Sequence, residues 1–384
     1  MKHILIIHQS AELYGSDKTL LLFLKNLDRK KIEPTVILPS TGPLKDEINL
    51  LNIPIYVQPV LKLYRDLFIP KNLLKFILDT YRSIKFIKKL DKEKKFDYIY
   101  SNTIAVLAGF FYSFLYNKKH IWHVHEIIES PQFVYKIFKK LIDSKFNYKI
   151  IFNSKQTQNY WLKNAKNLQN KGELIWNGLD FNEINKPTDL EISNFRSKII
   201  SSDDDLILCL VGRFNPQKGQ MFLLEAFNIL AQKNKNIKLL LVGSYLDNQK
   251  KYYDQLEMFI TTNNISEKVK IIPFQKNIWN VWYSIDIALV PSLYLEPFGL
   301  VAIEAMYAEK PVIVSAHGGL LDIVEDNKNG LLAKPHQVNH LVEKLQLLID
   351  NSQLRNNLAT EGKNSVINRF SIEAHMNHFY KILN

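Results

Sequence analysis

The sequence predicts an α/β protein built in two halves, and three observations carry that reading. Short apolar runs such as Ile4 to Ile7 and Leu206 to Val211 alternate along the chain with longer segments of helical period. The run Leu206 to Val211 stops at Gly212, and a helical pattern of Met221, Leu224, Phe227 and Leu230 opens after Gly219, which is the order strand, loop, helix. At 384 residues, with 46% hydrophobic and 23% charged side chains, the chain suits two domains of ordinary size, each with its own core.

The first half opens with a strand over His3–His8, too short in its apolar core for a signal peptide. A loop holding Tyr14-Gly15-Ser16 and a helix from about Asp17 to Leu27 follow. Further strands are expected at Thr35–Leu38, Ile55–Val57, Tyr98–Ser101, His120–His125 and Lys149–Asn153, with helices between them. Residues 183–205 are polar and acidic, carry the breaker Pro187 and read as a connector. The second half then gives strands near Leu206–Val211, Lys238–Val242, Val269–Ile272, Ile287–Val290, Pro311–Ser315 and Gly330–Ala333. The mainly apolar stretch Ile104 to Tyr116 is too short to span a bilayer, so no transmembrane helix is expected. The single cysteine, Cys209, lies inside an apolar run and permits no disulfide within the chain, which agrees with a reducing cytoplasm.

The net charge of +12 is unevenly spread. Between residues 61 and 95 basic side chains alternate with apolar ones, among them Leu63, Tyr64, Leu67, Phe68, Leu74, Ile77 and Tyr81. Residues 133–149 add Lys136, Lys139, Lys140 and Lys145. Two readings of these segments stand open: a basic amphipathic surface for an anionic membrane, or core-facing helices whose lysines are simply solvated. No nucleic-acid module is present, and no nucleic acid partner is expected.

The chemistry concentrates in the second half. In Gly212-Arg213-Phe214-Asn215-Pro216-Gln217-Lys218-Gly219, two cations sit at the C-terminal edge of a strand, facing a helix N-terminus whose free N–H groups also favour anions. A Gly-Arg-x4-Lys-Gly string is expected by chance in about one chain in a thousand of this length, so it reads as a motif. Downstream, Glu296 and Glu304 stand eight residues apart around Pro297-Phe298-Gly299-Leu300, where the apolar run Ile287 to Pro291 gives way to a new helix. That spacing alone means little; its place at a strand–helix loop gives it weight.

Together these elements resemble the retaining glycosyltransferases of the group 1 family (family 4), whose GT-B fold sets two Rossmann-like domains across a cleft. The Gly-Arg-x4-Lys-Gly string matches that family's diphosphate loop, and Glu296 to Glu304 its Glu-x7-Glu motif. Asn177-Gly178-Leu179-Asp180 resembles the segment near the interdomain crossing, and His317-Gly318-Gly319 the later Gly-Gly loop; Asp322 departs from the usual Glu. The resemblance implies an acceptor-binding domain of residues 1–182 plus 366–384, and a donor-binding domain of residues 183–365. It also implies a last helix that crosses back onto the first domain.

What the resemblance implies for the site can be stated residue by residue. Arg213 and Lys218 neutralise the diphosphate that leaves, helped by Gly212 and by the backbone N–H groups of Phe298, Gly299 and Leu300. Glu304 accepts from ribose hydroxyls, and Glu296 contacts the donor sugar. His125, which shares a strand face with His123, hydrogen-bonds a sugar hydroxyl or assists the departing group. Gly15, in the loop after the first strand, lets backbone approach phosphate or acceptor. Zinc at the histidine pair lacks a third ligand. Gly15 to Thr19 lacks the frame of a phosphate-binding NTPase loop, and no dinucleotide fingerprint follows a strand. Asp203-Asp204-Asp205 carries an Asp-x-Asp pattern but lies at the N-terminal edge of its strand, away from the ligand edge.

The expected function is therefore a cytoplasmic hexosyltransferase that needs no metal or other cofactor. It would move a sugar from a nucleoside diphosphate, with retention, to an envelope polysaccharide or lipid-linked acceptor, and could sit peripherally on the membrane. Two alternatives remain: a nucleotide-sugar epimerase or hydrolase of the same fold, and a non-catalytic nucleotide-sugar-binding subunit.

Overall fold

The computed structural model describes residues 1–61, 70–163, 165–200, 202 and 204–383, the side chains of 70–74 aside. Leu63, Tyr64, Leu67 and Phe68 of the basic segment, and Asp203 of the acidic triplet, lie outside the described residues. The chain divides into two compact units, residues 1–178 with 372–384, and residues 179–371.

The first unit is built on strands β1 (Lys2–His8), β2 (Ile32–Leu38), β3 (Ile55–Val57), β4 (Tyr98–Asn102), β5 (Lys119–Val124), β6 (Asn147–Phe152) and β7 (Gly172–Leu174). They form one parallel sheet in the order β3-β2-β1-β4-β5-β6-β7. Because side chains alternate across a strand, one strand feeds two cores. Leu5, Ile7, Ile99, Trp122, Val124 and Phe152 pack with Ile87, Leu90, Phe110, Phe138 and Trp161 on one face. Ile4, Ile6, Val36, Tyr100, Ile121 and Ile151 pack with Leu20, Phe23, Leu44, Met376 and Phe379 on the other.

The helix Ile372–Leu383 thus belongs to the first unit, as the resemblance implied. Phe379 meets the edge of Phe23 at 4.7 Å, the Tyr380 hydroxyl accepts from the Asp28 N–H at 2.7 Å, and the Tyr98 hydroxyl donates to the Leu383 carbonyl at 2.9 Å.

The second unit repeats the plan with β8 (Leu206–Val211), β9 (Ile237–Val242), β10 (Val269–Ile272), β11 (Ile287–Val290), β12 (Val312–Ser315) and β13 (Leu331–Ala333), parallel in the order β10-β9-β8-β11-β12-β13. Leu208, Leu210, Leu239, Leu241 and Leu289 pack under Leu223, Phe227, Leu256, Leu341 and Leu345. Cys209 is fully buried on the alternate positions of β8.

The structure corrects three local readings. Residues 183–205 are not a plain connector, for they contain the helix Asp189–Arg196, with Thr188 and Glu191 forming a reciprocal capping box at 3.3 and 2.8 Å. Arg196 ties that helix to the second unit through Asp286 at 3.0 Å and the Ser284 carbonyl at 2.9 Å. The strand Gly172–Leu174 was not anticipated. The first helix starts at Gly15 rather than Asp17, because Asp17 turns back to accept from the Tyr14 N–H at 3.0 Å. Asp205 does serve the turn before β8, accepting from the Ser202 N–H at 3.0 Å.

Among the described residues no helix is long and apolar enough to cross a membrane. The two basic segments lie largely in the helices Pro70–Lys94 and Gln132–Ile142, which expose Ile77, Leu78, Tyr81, Phe133 and Ile137 beside Lys85, Lys88, Lys136 and Lys140.

Candidate active site

In each sheet the chain reverses its direction of growth at one point, β1/β4 in the first unit and β8/β11 in the second. The C-terminal ends of strands at such a point open a crevice between the diverging loops. The motif residues lie there.

In the second unit β8 runs into Gly212 and the exposed Arg213, whose carbonyl accepts from Gln220 Nε2 at 2.8 Å. Asn215 caps a short turn, Pro216–Lys218, by accepting from the Gln217 N–H at 3.0 Å. Gly219 then enters the helix Gln220–Lys233 with φ +75°; a Cβ there would lie 2.0 Å from the Pro291 carbonyl oxygen, so no other residue fits. That close approach, and a hydrogen bond from the Leu293 N–H to the Gln217 carbonyl at 2.8 Å, stitches the loop after β8 to the loop after β11.

The stitching brings the two motifs together. Lys218 Nζ lies 2.7 Å from Glu296 Oε2, and the Ser292 hydroxyl donates to the same oxygen at 3.0 Å. Burial alone pushes the Glu296 carboxyl up, but the Lys218 ammonium and the Ser292 hydroxyl outweigh it and hold it below the ordinary carboxylate range. Behind Glu296 the Gly318-Gly319 loop packs backbone on backbone. The Gly319 N–H donates to the Glu296 carbonyl at 2.6 Å, and Gly318, at φ +62°, leaves 2.4 Å between that oxygen and any Cβ it might carry. His317 Nε2 meets the Ser292 carbonyl at 2.8 Å, so this loop braces both Glu296 and the serine that donates to it.

Phe298 is buried against Phe370, and Gly299 with φ +116° leads into the helix Leu300–Tyr307. Its first N–H groups have no acceptor within the helix, a local positive pole beside the carboxylate loop. Glu304 stands half-buried on the same helix and accepts from the Trp282 indole N–H at 3.2 Å.

In the first unit, Gly15 is exposed, and a side chain there would meet nothing within 4 Å, so the space beside it is open. His125 follows β5 directly and is buried, its Nε2 2.9 Å from Asn102 Oδ1 at the end of β4. Its ring lies 3.9 Å from that of His123, which bonds the Tyr100 hydroxyl at 2.6 Å. Burial, with His8 and His375 nearby, pushes the His125 imidazole down to about 3, so it is neutral at physiological pH. Among the described residues, no group of three or more His, Cys, Asp or Glu side chains is placed to hold a metal ion.

Comparison with known proteins agrees with this geometry. Residues 191–365 match the family Glycosyl transferases group 1. The chain is 29% identical over 326 residues to the uncharacterized glycosyltransferase MJ1178 of Methanocaldococcus jannaschii, covering 83% of this chain and 81% of that one. It is 30% identical over 185 residues to the lipopolysaccharide 1,2-N-acetylglucosaminetransferase of Salmonella typhimurium, covering 47% of this chain and 48% of that one. HepE of Anabaena, solved in complex with UDP and glucose, shares the fold over 100% of this chain and 99% of its own, with a TM-score of 0.85 at 24% identity. Residues 191–365 thus form a domain similar to the group 1 glycosyltransferases. MJ1178 aside, the chain spans about half or less of the length of the curated relatives it matches.

The motif residues Gly212, Lys218, Glu296, Phe298, Gly299, Leu300 and Glu304 gather on one edge of the second sheet, while Gly15 and His125 lie in the first unit. The sequence did not mark Ser292 or Trp282, which no motif contains, nor Asn102.

Proposed function

We propose that this protein is a glycosyltransferase that moves a hexosyl group from a uridine diphosphate sugar to a glycan or lipid-linked acceptor of the cell envelope, with retention and without a metal. The observation that carries the donor site is the Lys218–Glu296 pair at 2.7 Å, which joins the two motifs at the switch point of the second sheet. Breaking the sugar–phosphate bond leaves negative charge on the departing diphosphate. Arg213, Lys218 and the N–H groups at Phe298, Gly299 and Leu300 offset that charge, doing the work otherwise given to a cation. Glu296, ionised and braced by Ser292 and the Gly318-Gly319 backbone, accepts from sugar hydroxyls, and Glu304 from the ribose.

Uridine is favoured because HepE was solved with UDP and with UDP-glucose. The acceptor class is supported by the Salmonella relative and by CapM of Staphylococcus aureus, a capsular polysaccharide biosynthesis glycosyltransferase. Exposed Ile77, Tyr81, Phe133 and Ile137 among lysines support a peripheral contact with anionic lipid.

The test is thermal stabilisation by UDP-, GDP-, ADP- and dTDP-sugars, beside an Arg213→Ala/Lys218→Ala variant. A ligand at a hundred times its dissociation constant adds about 2.7 kcal/mol, so a UDP-sugar shift seen in the wild type and lost in the variant is expected. No shift with any nucleotide sinks the donor reading. Transfer abolished by EDTA and restored by magnesium would overturn metal independence, and failure to bind anionic vesicles at low salt would remove the membrane contact.

A further inference from the structure

The loop that carries Arg213 is fastened from several sides. The Gly212 N–H donates to the Val242 carbonyl at 2.9 Å, the Phe214 N–H donates to the Ser244 carbonyl at 3.0 Å, and the Arg213 carbonyl accepts from Gln220 Nε2 at 2.8 Å. The Arg213 carbonyl and the Phe214 N–H belong to one peptide unit, which turns only as a rigid plane. That plane is gripped at both its oxygen and its nitrogen. Gly243 closes the loop from behind, where a Cβ would lie 2.0 Å from the Gly212 oxygen, and the buried Phe214 ring meets Tyr253 edge-on at 5.3 Å. The exposed Arg213 side chain therefore leaves from a fixed base.

The grip on the oxygen comes from a side chain whose orientation is settled by backbone groups. Gln220 is fully buried at the first position of the helix Gln220–Lys233, so its amide depends on protein partners at both ends. A carbonyl only accepts, so Nε2 faces Arg213. The Met221 N–H, one of those at a helix start with no acceptor inside the helix, donates at 3.1 Å to the hydroxyl of Tyr252 on the helix Lys250–Thr262. Having accepted there, that hydroxyl turns its own proton to Gln220 Oε1 at 3.4 Å. Burial holds the Tyr252 phenol above its ordinary range, so the proton stays on it.

We propose that Gln220, oriented by Tyr252, is a positioning residue that aims Arg213 at the diphosphate of a nucleotide ligand, so that the guanidinium is in place before the ligand arrives. The proposal rests on the donor reading above and deepens it, and it uses groups of the second unit alone. Fixing the base of a long side chain in advance removes part of the ordering cost that binding otherwise carries. Lys218, at the far end of the same loop, is held by Glu296 instead, so the two cations are aimed by different devices.

The test is a mutant cycle of Gln220→Met and Arg213→Ala in the full chain, read by calorimetry with UDP. Gln220→Met keeps the length of the side chain and removes both amide hydrogen bonds. Arg213→Ala is expected to weaken UDP roughly tenfold or more and Gln220→Met roughly five- to tenfold. Added to Arg213→Ala, Gln220→Met should change affinity by less than about twofold. Tyr252→Phe, which removes a single oxygen, should give a loss of about two- to threefold that likewise vanishes without Arg213. A loss of equal size with and without Arg213 would make Gln220 a part of the fold only and overturn its positioning role. Unaltered affinity in Gln220→Met beside a weakened Arg213→Ala overturns the proposal alone, whereas Arg213→Ala that binds UDP as wild type does overturns the donor reading and the proposal with it. A second readout needs no ligand: amide exchange over residues 211–219, followed by mass spectrometry, is expected to quicken roughly tenfold in Gln220→Met. Exchange at the wild-type rate would show a loop fixed without Gln220 and overturn the clamp whatever UDP does.

Discussion

Lys218 donates to Glu296 across 2.7 Å although 78 residues of chain separate them. The pair keeps a buried carboxylate ionised, and it also holds the lysine in place. In Lys218→Ala, Glu296 loses the partner that offsets its burial. The expected cost is roughly 1–3 kcal/mol of stability and a hundredfold or more in turnover. Urea unfolding and steady-state transfer would measure the two losses, and turnover within threefold of wild type would refute the role.

The same pair has a signed pH dependence. With its pKa held below 4.5, Glu296 contributes stability that is fully present above that value and lost as pH falls through the lower folded value. In Lys218→Ala the largest influence opposing burial is gone, only the weaker ones of Ser292 and His317 remain, and the carboxyl rises, so the stability gap between wild type and variant is expected to widen from pH 3 to pH 7. A gap that stays constant in thermal unfolding over this range would contradict the pairing.

Buried histidines of the first unit give acid sensitivity of a different kind. Burial pushes His120 down to about 4 and His125 to about 3, and it lowers His123 and His375 as well. The unfolded chain takes up protons near 6.5 that the folded chain refuses, so their contribution is complete above pH 6.5 and falls as pH drops toward the folded values. Each such histidine adds roughly 1.4 kcal/mol per pH unit to the slope. His120, bonded to Asn147 at 2.8 Å and Ser101 at 2.9 Å, is fully buried near the start of β5 and is not itself a candidate site residue. His120→Gln should therefore flatten the slope between pH 6 and pH 5 by about one such increment.

Gly219→Ala tests the join between the two loops. Its φ of +75° and the 2.0 Å approach to the Pro291 oxygen leave no room for a methyl group. Destabilisation of roughly 1–3 kcal/mol or more is expected, together with weaker binding of a UDP-sugar. Gly15→Ala, where the space is open, should leave stability nearly unchanged in the same assay.

Trp282 and Glu304 separate binding from folding. The indole N–H fixes the carboxylate at 3.2 Å, and the ring itself is fully buried. Trp282→Phe is expected to weaken both stability and donor affinity, whereas Glu304→Gln, which keeps the volume, should raise KM for the donor with little change in melting temperature. Equal melting losses in the two variants would deny Glu304 a ligand.

Most of the architecture was legible because a strand buried on both faces leaves a dense apolar signal. Leu206–Val211 and Ile287–Val290 were read to the residue. Gly172–Leu174 was not, since a three-residue edge strand carries too little pattern to stand out from a loop. The helix Asp189–Arg196 hid in a polar segment, although Thr188 and Glu191 spelled its cap. At the site, the motif residues could be named from spacing within single loops. Contacts between loops could not: neither Lys218 with Glu296, nor Asn102 with His125, has any sequence spacing that foretells it.

The helix Ile372–Leu383 completes the core that Ile4, Ile6, Phe23 and Tyr100 begin. On the ribosome, that core therefore waits for residues made hundreds of positions later, while the second unit is one unbroken stretch and has all its strands by Ala333. Units of this kind fold as wholes. The half synthesised first is the half finished last, so a stalled or truncated chain would present a finished second unit joined to an open apolar face, a ready client for chaperones and proteases.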